Sequence, residues 1–203
     1  MLISQVIELA RSGELNNLTP TDARVINYIN LGMIELYKRF QLRSAEAIIT
    51  MESDSTTYTL DSTDTRVSMD NTALDVMAIQ EAYDESGAGL SINVENDEYG
   101  IMTPAFNQVQ IPNPVEGEVI GIVYLAGPTY ITDVTETLKL PQSLLEALLH
   151  YVGYRAHGAV DGKVEAETTT HYQKFEASVA RAKLLGVVTE DQVADRSTTE
   201  RFV

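Results

Sequence analysis

The hydrophobic period of the chain changes twice, and that change limits the folds open to it. Near the N-terminus Leu2, Val6, Leu9 and Ala10 recur at helical spacing, and Ser12-Gly13 closes a short first helix. Thr19-Pro20-Thr21-Asp22 then supplies a hydroxyl N-cap, a proline at the first helical position and a carboxylate at the third. From there Val25, Ile29, Met33, Leu36, Tyr37 and Phe40 follow one face, with Asn27, Glu35, Lys38 and Arg39 on the polar side. After Leu42 the period becomes two. Segments 45–51, 58–60, 73–83, 90–94, 108–111 and 118–125 are rich in β-branched residues and separated by Asp-Ser, Asn, Gly and Pro. Pro104, Pro112, Pro114 and Pro128 are assigned to the connections. Helical spacing returns at Pro141. Leu145, Leu149, Val152 and Ala156 form one stripe of a third helix, flanked by Leu144, Leu148, Tyr151 and Arg155. Glu146, His150, Gly153 and His157 take its remaining face. A fourth helix runs over 164–185, with Thr168, His171, Tyr172, Phe175, Val179 and Ala182 inward.

This order predicts an α+β chain. An antiparallel helical bundle (1–43 and 139–185) is interrupted by an antiparallel β-domain (44–138), and an extended C-terminal arm (186–203) follows. Charge follows the same boundaries. Segment 44–138 holds 17 Asp and Glu against one base, Arg66, while the flanks balance 13 acids with 13 bases, so the net charge of −16 belongs to the middle. A surface so poor in Lys and Arg cannot hold DNA by neutralising phosphates, and it repels the duplex.

At 203 residues, with 44% apolar and 22% charged residues, the chain can bury a core without a disulfide or a structural metal. The absence of Cys removes thiolate chemistry and Cys-ligated metal centres and fits a reducing compartment. The longest apolar runs, such as 119–126, fall far short of the roughly 20 residues that span a bilayer. The first residues lack a basic stretch and carry Glu8, so a chain made and kept in the cytoplasm until assembly is expected, with no membrane association.

Catalytic patterns are not found. There is no Gly-rich phosphate loop, His-Glu-x-x-His or Gly-x-Ser-x-Gly, so no enzyme activity and no cofactor are expected. Two cation sites are conceivable and both have plainer readings. His157 and His171 with Asp161 or Glu165 could meet across the turn between the last two helices, or they form a polar face and a helix cap. Asn93 to Asp97 alternates oxygen donors like the start of a calcium loop, but Glu98 stands where that loop needs Gly, which favours a solvated acidic loop.

Helix three is apolar around most of its circumference and must be covered on more than one side, so Leu148, Val152 and Arg155 are the expected packing positions between helices or subunits. Arg155 is the one formal charge there. Either its stem covers core residues while its head reaches water, or it pairs with a carboxylate such as Asp22 or Glu35, within the chain or across a subunit boundary. The arm is polar, with capping-box patterns at Thr189 with Gln192 and Ser197 with Glu200 that would let short helical turns form on a partner.

Taken in order, Leu9-Ala10-Arg11, the run Thr19-Pro20-Thr21-Asp22-Ala23-Arg24-Val25-Ile26-Asn27-Tyr28-Ile29-Asn30 and Leu138-Lys139-Leu140-Pro141 are familiar. So are Ala147 through Ala156 and His171-Tyr172-Gln173-Lys174-Phe175. The chain resembles the head-to-tail adaptor (connector) proteins of tailed, particularly short-tailed, bacteriophages, and the helices carry the resemblance more than the β-region does. It implies a homo-oligomeric ring, a dodecamer, beneath the portal protein in the neck of the virion. The ring would join portal to a tail or nozzle protein and pass genomic DNA without binding it specifically. It also implies that Arg196, Arg201, Phe202 and Val203 dock on portal or on a neighbouring subunit. Another class remains open on the β-rich acidic middle: a carbohydrate- or surface-binding accessory module of a phage tail. Against it stand 7% aromatic residues and no Trp, since sugar platforms need exposed rings.

Overall fold

The computed structural model describes residues 1–70, 75–95, 97–161 and 166–186. Among them are four α-helices, a 3-10 turn and seven strands, so the chain is α+β. It divides into two compact units, a helical one from Met1–Leu42 with Pro128–Glu190 and a β unit from Arg43–Gly127.

In the helical unit, α1 (Ile3–Ser12) and α2 (Asp22–Phe40) precede the 3-10 turn Gln142–Leu144, α3 (Leu145–Asp161) and α4 (Ala166–Leu184). Helix α3 packs against α2 and α4, and α1 contacts both α2 and α3. The six apolar residues expected on the inner face of α2 are all buried, from Val25 to Phe40. The start of α2 falls two residues later than its capping pattern suggests. Thr21 is the N-cap, with no side-chain bond to the helix, and Arg11 draws the preceding backbone outward by donating to the Pro20 carbonyl (3.0 Å) and to Asp22 Oδ1 (2.6 Å). Helix α1 is turned relative to the expected stripe. Ile3, Val6, Ile7 and Ala10 are buried, whereas Leu2 and Leu9 are each 43% exposed. Leu2 lies before the first turn, where it bridges to Thr137 and its N–H donates to Gln5 Oε1; with the helix anchored there, Ile3 and Ile7 face inward.

Segment 128–138, grouped by its period with the acidic middle, lies in the helical unit. Backbone bonds explain it. Ile3 and Ser4 donate to the carbonyls of Glu136 and Val134, so this extended segment supplies acceptors to the unpaired N–H groups that begin α1. Asn30, buried in α2, holds the same segment at Ile131.

The β unit contains a four-stranded antiparallel sheet ordered β3-β1-β7-β4 and a three-stranded antiparallel sheet ordered β2-β6-β5. The strands are β1 (Ser44–Thr50), β2 (Thr57–Thr59), β3 (Val67–Met69), β4 (Val76–Tyr83), β5 (Met102–Ala105), β6 (Gln108–Gln110) and β7 (Val119–Ala126). Both sheets contribute to one hydrophobic core, in which Ile49, Tyr58, Val109, Ile122 and Tyr124 are fully buried. Segment 90–94, expected as a strand, makes only an isolated bridge between Ile92 and Ile101; Asn93 there adopts a left-handed conformation (φ 56°) that interrupts an extended run. Pro104 lies within β5 rather than in a connection. Because β5 is an edge strand whose pairing with β6 shifts register between Met102 and Ala105, it tolerates a residue without an N–H. β4 also carries two register shifts along β7.

Candidate functional site

Helix α3 is the central element of the helical unit. Leu148 and Val152 are fully buried within the unit, and the α2–α3 approach depends on Gly32. A Cβ there would stand 2.6 Å from Leu148 Cδ1 and 3.1 Å from Tyr151 Cδ1. Tyr151 in turn meets Phe175 of α4 edge-on, at 5.2 Å between ring centres. These positions join helices of one subunit. Arg155 points outward and is exposed. The two carboxylates considered for it are engaged elsewhere, Asp22 with Arg11 and Glu35 with Arg39.

Arg39 organises a junction that the sequence did not signal beyond its spacing of four from Glu35. Its Nε donates to Glu35 Oε1 and its Nη1 to Glu176 Oε2, both at 2.8 Å, and its guanidinium lies 4.9 Å from the centre of the Phe175 ring. The Arg39 hydrogen bond holds the Glu176 carboxyl below its usual range. One planar cation thus ties α2 to α4.

The face of α3 expected to be polar is instead occupied by its own subunit. Glu14, just past α1, presents one carboxylate oxygen to His150 Nδ1 (3.1 Å) and the other to His171 Nδ1 (2.5 Å), with Lys174 Nζ 3.9 Å from the second. His157 stacks on His171, their ring centres 4.6 Å apart and planes at 17°, while its Nε2 lies 3.1 Å from the Glu14 carbonyl oxygen. Beside them opens a shallow hollow of about 270 Å³, bordered by Gly13, Asn16, Asn17 and Thr170 as well. Of the two readings open for His157 and His171, a meeting across the turn or a polar face and a helix cap, the structure shows them meeting, face to face. Asp161 and Glu165 have no described side chains. Among the described residues no group of three His, Cys, Asp or Glu side chains is arranged to hold a metal ion. Burial pushes the His171 imidazole below its ordinary value, opposed by Glu14 and reinforced by His157 and Lys174.

In the β unit, Arg43–Gly127 carries 15 acids and two bases. Arg66, the one base of the acidic middle, is consumed locally: it binds Asp64 through Nε (2.8 Å) and Nη2 (2.9 Å), reaches Ser55 Oγ, and covers the Tyr58 ring at 4.7 Å. That hydrogen bonding pulls the Asp64 carboxyl down to about 2. In the calcium-like loop Asn93 and Asp97 spend their side-chain oxygens internally. Asn93 exchanges two hydrogen bonds with Thr103, and Asp97 accepts from Ser91 Oγ and the Tyr99 N–H. Tyr99 and Phe106 expose their rings, at 85% and 68%. Arg196, Arg201, Phe202 and Val203 lie outside the described residues. Among the described residues no helix is long and apolar enough to cross a membrane.

The family model of the SU10 adaptor protein aligns with residues 1–201. The chain belongs to the SU10 adaptor family. No curated protein matches it significantly. As a phage head-tail adaptor it is a structural component of the virion, and membership implies a non-enzymatic role in association with portal and tail components. Its packing centre is α3, and its acidity lies in the β unit.

Proposed function

We propose that this adaptor forms a ring of about twelve copies beneath the portal, built by its helical domain with the β-domain as an insertion, and that the ring joins portal to the tail or nozzle. It occupies the neck of the virion after assembly in the host cytoplasm, and the genome passes through it during ejection. The observation that carries this reading is the family match over residues 1–201. The excess of 15 acids over two bases in Arg43–Gly127 supports a conduit that does not retain DNA, because carboxylates near a lumen keep phosphates off its wall. Arg155, which is exposed, is assigned to a carboxylate of the neighbouring subunit. Arg196, Arg201, Phe202 and Val203 are assigned to docking on portal or a neighbour.

Negative-stain imaging of the full chain mixed with portal particles tests assembly. Rings seated on the portal are expected, and scattered monomers refute the reading. Deleting 187–203 is expected to weaken co-sedimentation with portal while leaving the melting temperature nearly unchanged. Equal co-sedimentation would remove the arm from the docking surface. The exposed Tyr99 and Phe106 rings favour a second reading, a carbohydrate-binding surface on the β unit; binding to a glycan array, lost in Tyr99→Ala, with no ring on portal would select it.

A further inference from the structure

The chain contains three histidines, at 150, 157 and 171, and all three gather around Glu14, His150 and His171 at its carboxylate and His157 at its backbone carbonyl. They come from two different helices, and Glu14 comes from the connection between α1 and α2. The Glu14 side chain is only 17% exposed, and those of His150 and His171 are 14% and 12% exposed. Glu14 Oε2 and the Nδ1 atoms of His150 and His171 are buried, so the polar surroundings of each are the cluster itself. Gly153 makes the approach feasible. A Cβ at that position would stand 3.0 Å from both Glu14 Cβ and His171 Nδ1.

We propose that Glu14, His150, His157 and His171 form a pH-responsive latch that fastens α4 to α3 and to the connection after α1 at neutral pH, and releases it under mild acid.

The charges facing the cluster can be counted element by element. The connection contributes the Glu14 carboxylate; α3 contributes His150 and His157, with Glu146 at 3.7 Å from His150 Nε2 on the exposed side; α4 contributes His171 and Lys174. With neutral imidazoles the count is two carboxylates, Glu14 and Glu146, against one cation, Lys174, which lies 3.9 Å from Glu14. A proton taken by His171 places a cation against the face of the His157 ring, 4.6 Å away, and beside Lys174, with the Glu14 carboxylate opposing it.

The direction follows from His171, whose folded value lies below the ordinary 6.5, mainly through burial. Below 6.5 the unfolded or undocked imidazole binds a proton that the docked one refuses. The contribution to docking is therefore complete above about pH 6.5, declines as pH falls from there towards the depressed folded value, and levels off beneath it. A single refused proton changes the docked-to-undocked ratio by up to about tenfold per pH unit in that window.

Amide hydrogen exchange of the full chain between pH 7.5 and 5.0, corrected for intrinsic rates, reads the latch directly. Opening of α4 and of the 13–17 connection is expected to increase up to about tenfold per pH unit below 6.5, with β1 as the internal control. In His171→Gln, which keeps hydrogen-bonding capacity without titrating, this slope is expected to flatten. A variant that loses stability equally at every pH, with its slope unchanged, would show a packing role and overturn the latch. Titration of the His171 ring protons by NMR needs no variant; a midpoint at or above 6.5 would overturn it as well.

Discussion

The side chain of Asn30 grips the backbone of Ile131 from both ends: its Nδ2 donates to the Ile131 carbonyl at 2.8 Å and its Oδ1 accepts from the Ile131 N–H at 2.9 Å. At 4% exposure it is the buried polar residue among the described ones, and this pair of bonds satisfies it and an otherwise unpaired peptide group together. Asn30→Ala would leave both backbone groups buried and unsatisfied. A loss of about 2–4 kcal/mol in unfolding free energy is expected by denaturant titration, with faster exchange at 128–138. A loss under about 0.5 kcal/mol would show that water replaces the side chain.

Gly32 sets the distance between α2 and α3. In Gly32→Ala the helix-propensity gain of up to about 1 kcal/mol is outweighed by an overpacking cost of about 1–3 kcal/mol, because the new Cβ falls on Leu148. The net change is destabilising by about 1 kcal/mol. Adding Leu148→Ala opens the space, so the double variant is expected to be less destabilised than the sum of the two singles.

Arg39 acts through its shape. Arg39→Lys keeps the charge but cannot reach Glu35 and Glu176 at once while covering Phe175, and a drop of about 1 kcal/mol is expected at low salt. A melting temperature equal to the parent's would show that charge alone suffices.

The Asp64–Arg66 pair governs acid behaviour in the β unit. With Asp64 lowered from 3.8 to about 2, its contribution is fully present above about pH 3.8 and disappears as pH falls through about 2. Asp64→Asn is expected to cost about 2 kcal/mol at pH 7 and to flatten the stability profile between pH 4 and 2. An unchanged acid profile would assign the transition to other carboxylates.

How much of this was legible in the sequence depends on the range of the interactions. The α2 face from Val25 to Phe40 could be read because one helix repeats a pattern that a single core satisfies. The turned stripe of α1 could not, since Leu2 and Leu9 match helical spacing as well as Ile3 and Ile7 do, and only the bridge to Thr137 chooses between them. β3 and β5 went unread: β3, Val67-Ser68-Met69, has no β-branched residue beyond Val67, and Pro104 concealed β5. A meeting of His157 and His171 was one of two readings open from the turn between α3 and α4, but Glu14 lies more than a hundred residues away and carries no local signal of its part. The Asn30 grip on Ile131 is of the same long-range kind.

The four sheet edges carry a consequence for assembly. β2 and β3 are three residues long, β5 contains Pro104, and β4 is broken by two register shifts along its partner. None offers an uninterrupted row of peptide groups on which another chain could add a strand. In the proposed ring, copies would therefore lie against one another without zipping into a continuous ladder. Neighbour recognition in the β unit would be left to side chains, where it can remain reversible until assembly is complete.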